Sequence, residues 1–122
     1  MPTIATKRDA IDTILKKHCT KSVQGHILID KKGMLLHSYV LQDMNLERFC
    51  PLMAELIQAT QNVLKECKHG IMEKLVIKST ASKYVITNFK EHILITLAEP
   101  HLEIYDILNS VKALETDLLK HI

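Results

Sequence analysis

The chain has 122 residues, 47% hydrophobic and 25% charged, with sixteen basic and fourteen acidic side chains for a net charge of +2. That length buries roughly two thirds of the unfolded surface, so a core forms without disulfides or a structural metal. The near-balanced charge gives little drive toward nucleic acid. Tyr39, Phe49, Tyr84, Phe89 and Tyr105 are the only aromatics and are scattered over four elements, so no base-stacking surface is expected.

Residues 1–5 are expected to fray. Thr6, followed three residues later by Asp9, reads as the cap of a first helix. Ala10, Ile11, Ile14, Leu15 and His18 recur at helical spacing in a narrow stripe. Val23 to Ile29 and Met34 to Leu41 read as two strands joined by Asp30-Lys31-Lys32-Gly33, with Gly33 supplying the positive φ of a hairpin turn. Gly25 inside the first strand points to a bulge or a close backbone approach.

A long helix follows, with Asn45 as its cap. Phe49, Leu52, Met53, Leu56, Ile57, Val63, Leu64 and Cys67 form an apolar arc of about 140°. Pro51 places the regular helix start near Cys50, or makes 46–50 a distinct first turn. Gly70 is the expected stop. The arc is wide for a helix on a thin sheet. Either all of it is core, or one flank is a subunit interface. Met53, Ile57 and Leu64 lie on one flank; Leu52 and Val63 lie on the other.

Three strands come next: Lys74 to Ser79, Lys83 to Phe89, and His92 to Ala98. Ile93, Ile95 and Leu97 alternate with Leu94, Thr96 and Ala98, so the last strand is apolar on nearly both faces and belongs at the sheet centre. Pro100 opens a final helix whose stripe is Ile104, Ile107, Leu108, Val111, Leu114, Leu118 and Ile122. The pattern gives an α/β fold: a five-stranded, mostly antiparallel sheet with helices, in the order α-β-β-α-β-β-β-α, as one domain over 1–122.

No chemistry-bearing constellation stands out. The His18-Cys19 and Cys67-x-His69 pairs have no second pair at zinc spacing, and the seven histidines read as surface or half-buried side chains. Cys50 sits near a helix start without a paired base. Gly25, Gly33 and Gly70 are isolated, so there is no phosphate loop. The odd cysteine count fits reduced thiols, and no apolar run approaches about 18 residues. The expectation is a cytoplasmic protein without membrane insertion, catalytic residues, metal or cofactor. Lys74, Lys78, Lys83 and Lys90 lie on or beside the last strands. They either guard a sheet edge or meet an acidic partner.

The order and spacing of these elements resemble the roadblock/dynein light chain family from about Asp9 onward. The hairpin from Gly25 to Ser38, the helix segment from Leu52 to Thr60, and the strands from Lys83 to Ala98 carry the likeness. The resemblance implies a roadblock-like sandwich and a dimer, with a second copy or a related subunit. In such dimers third strands pair and central helices pack together. It also implies a non-catalytic adaptor that regulates or scaffolds a small Ras-like GTPase. The alternative is a dynein-type light chain holding a motor intermediate chain, and a third class is a small-molecule sensor of related longin or profilin-like architecture. On this reading Met53, Ile57, Leu64, Leu75, Val76 and Ile77 form the dimer interface. Gln58, Gln61, Asn62 and Lys65 contact the partner. Pro51 and the lysine-rich strands depart from the family pattern.

Overall fold

The computed structural model describes residues 7–122, with side chains from residue 8. The Thr6 cap and the expected fraying of residues 1–5 lie outside the described residues. The elements are α1 (Lys7–Lys17), β1 (Val23–Asp30), β2 (Leu35–Val40), α2 (Leu46–Glu66), β3 (Lys74–Lys78), β4 (Lys83–Phe89), β5 (His92–Ala98) and α3 (Ile104–Leu118). Their order is the expected one.

The five strands form one sheet in the order β2-β1-β5-β4-β3, antiparallel at every step. The doubly apolar β5 is central, as its sequence requires. Leu94 and Ala98 point toward α1 and α3, where they meet Ile11, Leu15, Ile107, Val111, Leu114 and Leu118. Ile93, Ile95 and Leu97 point to the other face, where Cys50, Met53 and Ile57 of α2 cover them. Among the described residues the result is three layers, with α1 and α3 on one side and α2 alone on the other.

Local chemistry explains how α2 is seated. Gly33 has φ +92°, which the hairpin turn needs. A methyl group there would also sit 2.9 Å from Ala54 Cβ and 3.1 Å from the Cys50 carbonyl oxygen, so the helix rests directly on the turn. At Gly25 a methyl group would lie 2.7 Å from Val40 Cγ1, and the β1–β5 register shifts between Val23 and Gly25. Bulge and close approach therefore coincide there.

Three sequence expectations need correction. The helical backbone of α2 starts at Leu46, ahead of Pro51. The proline withholds one hydrogen bond from the Glu47 carbonyl, and Glu47 is an exposed residue, where that loss costs little. Asn45 Oδ1 caps the helix by accepting from the Arg48 N–H at 3.4 Å. The helix ends at Glu66 with Cys67 as its C-cap, ahead of the expected Gly70 stop. Lys68 takes the left-handed conformation (φ +57°), and the His69 N–H donates to the Leu64 carbonyl at 2.8 Å, the pattern of a Schellman cap. Pro100 lies four residues before α3, in a turn closed by the Leu102 N–H on the Glu99 carbonyl.

A candidate interaction surface on α2 and the β3 edge

Residues 50, 53, 57 and 64 share one phase of α2. Met53 and Ile57 are 5% exposed and Cys50 is 1% exposed, all packed among Ile27, Ile29, Ile86, Ile93 and Ile95, while Leu64 is half-buried against the same cluster. Met53 and Ile57 were expected at a subunit interface; they belong to the chain's own core. The phase is set where Gly33 meets Ala54, which turns that flank down onto the sheet.

The opposite flank stays open. Leu52 is 59%, Leu56 38% and Val63 62% exposed, with exposed Ala59 between them. Positions 52, 56, 59 and 63 are spaced four, three and four, which is the seam spacing of paired helices. That spacing is present in the sequence, but the width of an apolar arc does not single out Leu56, or the small Ala59, as members of a seam. Beside the seam runs a polar strip of Glu55, Gln58, Asn62 and Lys65, all exposed. Gln58 Nε2 donates to Asn62 Oδ1 at 3.0 Å.

Gln61 was grouped with these as a partner contact, but it is half-buried and committed. Its Oε1 accepts from the Met72 N–H at 3.1 Å, and the Met72 carbonyl accepts from Asn88 Nδ2. Met72, itself buried, is thus clamped on both backbone groups by two side chains. The clamp holds the segment that leads into β3, so α2 runs from the β1–β2 turn to the β3 end of the sheet.

Among the described residues β3 is an edge strand, bonded to β4 alone. Leu75 and Ile77 are half-buried under α2, and Val76 is 38% exposed on the other face between Lys74 and Lys78. Next to β3, Lys74 and residues Tyr105, Leu108, Asn109, Lys112 and Glu115 line an open cavity of about 420 Å³. Burial holds the Glu115 carboxyl above its ordinary range, with Lys74 opposing.

The titratable groups elsewhere tie elements together. His26 is fully buried, against the expectation of surface or half-buried histidines. Its Nε2 lies 3.0 Å from the His18 carbonyl at the end of α1, and its Nδ1 lies 2.9 Å from Thr96 Oγ1. A carbonyl only accepts, so Nε2 carries the proton and Nδ1 accepts from the hydroxyl. Burial lowers its pKa to about 4. His18 Nε2 reaches Asp117 at 2.6 Å and His37 Nδ1 reaches Asp12 at 2.9 Å, so imidazoles fasten α1 to three neighbours. The hydrogen bond from His18 holds the Asp117 carboxyl below its ordinary value.

The cysteines are unpaired; burial pushes the Cys19 thiol up to about 11 and raises Cys50 as well, the opposite of an activated nucleophile. Among the described residues no group of three or more His, Cys, Asp or Glu side chains is placed to hold a metal ion. Among them also, no helix is long and apolar enough to cross a membrane.

A family model described as the Roadblock/LC7 domain matches residues 13–99. The fold is similar to the gliding protein MglB from Thermus thermophilus, with a TM-score of 0.82, 16% identity, and coverage of 97% of this chain and 92% of that one. An MglB structure with a tetrameric arrangement gives 0.83, 16%, 97% and 91%. A Roadblock/LC7 domain from Streptomyces avermitilis gives 0.78, 11%, 89% and 94%. No curated protein sequence matches.

Proposed function

The chain belongs to the Roadblock/LC7 domain family, and from that premise we propose that it is a cytoplasmic, non-catalytic adaptor, a single domain over 1–122. It works as a dimer, with a second copy or a related subunit, and binds and regulates or scaffolds a small Ras-like GTPase. The observation that carries this reading is the exposed Leu52-Leu56-Ala59-Val63 seam on α2, in a sheet whose β3 edge is unpaired among the described residues. Helix-to-helix burial along the seam removes apolar surface from water, and strand pairing at β3 satisfies an open edge. Val76 stays at the interface, and Leu75 and Ile77 contribute through the strand. The polar strip of Gln58, Asn62 and Lys65 remains outside the helix pair and forms the GTPase contact. The MglB likeness supports the oligomeric part of the reading.

The test has two readouts. Sedimentation at micromolar concentration should show a dimer for the native chain and a monomer for Leu56→Glu, which puts a charge into the seam. Affinity capture from native cell extract loaded with a non-hydrolysable GTP analogue should recover a small GTP-binding protein on the native chain and not on Leu56→Glu. A native chain that is monomeric and also captures no paired subunit, or capture that ignores the seam, overturns the proposal.

A further inference from the structure

The β3 edge is mismatched against its own copy. A two-fold that keeps both α2 helices on one face of the joined sheet runs perpendicular to it and makes the two β3 strands antiparallel. All five residues then overlap in one register only. Val76 faces the partner's Val76, Leu75 faces the partner's Ile77, and Lys74 faces the partner's Lys78. The last pairing occurs twice, with like charges about 5 Å apart at Cβ, which is destabilising. Sliding by two residues, the smallest shift that preserves the faces, sets a lysine against Val76 and gives up the Leu75–Ile77 contacts.

The surroundings sharpen the mismatch. Lys78 already sits opposite Lys83 within the chain, and Lys83 Nζ is spent on the Leu102 carbonyl at 2.7 Å. Beside Lys74, the cavity adds Lys112 and a single carboxylate, Glu115, whose ionisation burial disfavours. The edge therefore offers an aliphatic centre, Leu75-Val76-Ile77, between two under-compensated positive ends.

We propose that β3 is built to pair with the edge strand of a non-identical chain that carries Asp or Glu at the two positions facing Lys74 and Lys78, with aliphatic residues between. This rests on the strand-paired dimer above and names its preferred partner. Main-chain bonds supply the pairing, and the terminal charges choose between self and non-self.

The test uses this chain as its own probe. Lys78→Glu makes the edge self-complementary, because the carboxylate it introduces then faces the partner's Lys74 at both ends of the strand pair. Mixing the native chain with Lys74→Glu/Lys78→Glu supplies the acidic strand directly. Dissociation constants come from sedimentation and native mass spectrometry across a salt series. The Lys78→Glu homodimer and the mixed pair should be on the order of 10- to 100-fold tighter than the native homodimer. Salt should weaken both and strengthen the native one. Lys78→Gln should fall between.

If Lys78→Gln tightens the dimer as much as Lys78→Glu, the lysines are only guards of the edge and the acidic partner is refuted. A tight native homodimer indifferent to these substitutions refutes it too, while leaving the dimer standing. If no variant associates and Leu56→Glu changes nothing, the dimer reading has failed and this inference falls with it.

Discussion

His26 makes the sharpest claim about stability. The imidazole is sealed between α1 and the sheet, donating to the His18 carbonyl and accepting from Thr96. Burial lowers its pKa from an ordinary 6.5 to about 4. Between those values the unfolded chain takes up a proton that the folded chain refuses. The folded pKa is the depressed one, so its contribution is complete above about pH 6.5 and is lost as pH falls toward 4. Below pH 4 both states are protonated and this group has nothing further to lose. The gap between 6.5 and about 4, at about 1.4 kcal/mol per pH unit, is worth about 3 kcal/mol. That is a large share of the ordinary 5–15 kcal/mol for a domain. Urea unfolding at pH 7.5, 6.5, 5.5 and 4.5, run beside His26→Gln, measures it. The glutamine keeps a donor for the His18 carbonyl and does not titrate. The variant starts less stable, and its stability should fall less across this window by roughly 2–3 kcal/mol. Parallel pH profiles for the two proteins would refute the buried neutral imidazole.

Two further substitutions test how α2 and its exit are held. Gln61→Ala leaves the buried-side Met72 N–H without its acceptor and should cost about 1–2 kcal/mol, whereas Gln58→Ala, on the exposed strip, should cost under about 0.5 kcal/mol; equal denaturation midpoints for the two would place Gln61 on the binding surface after all. Lys68→Gly relieves a left-handed lysine at the Schellman position and should raise stability by about 0.5–1 kcal/mol, seen as a higher Tm; a lower Tm would show that the cap geometry is not under strain.

What the sequence revealed and what it hid divide along a physical line. Strand β5 could be placed at the sheet centre because apolar residues on both faces have only one low-energy location. The β1–β2 turn could be read because Gly33 has a local backbone requirement. The orientation of α2 could not. A 140° arc says how much surface is apolar, and leaves open which edge turns inward. That choice was made by contacts distant in sequence: Gly33 under Ala54, and Gln61 on the Met72 N–H. The role of His26 was hidden for the same reason, since Thr96 lies 70 residues away. Pro51 does not mark the helix start because its penalty is small early in a helix, beside an exposed Glu47. Gly70 misled because a lysine tolerated the left-handed cap two residues earlier.

The placement of the two arginines bears on how a bound GTPase would be regulated. Acceleration of GTP hydrolysis commonly uses an arginine supplied in trans, worth about 10³–10⁵-fold. Arg8 and Arg48 are the only arginines in the chain. Arg8 lines a cavity with Ile11, Leu28 and His37, on the α1–α3 face of the sheet. A GTPase seated on α2 has the whole sheet between it and that side chain. Arg48 is on the first turn of α2, exposed, nearly three turns before Gln58. It alone could reach a nucleotide site from this surface, and it does so from one end of the helix, away from Gln58, Asn62 and Lys65. Acceleration by this protein is therefore expected to come from positioning the GTPase's own residues. In single-turnover hydrolysis with the captured GTPase, Arg8→Ala should have no effect and Arg48→Ala should cost no more than about tenfold, well short of a trans arginine. A loss of about 10³-fold or more in Arg48→Ala, with binding intact, would identify an arginine donor and overturn the scaffold mechanism.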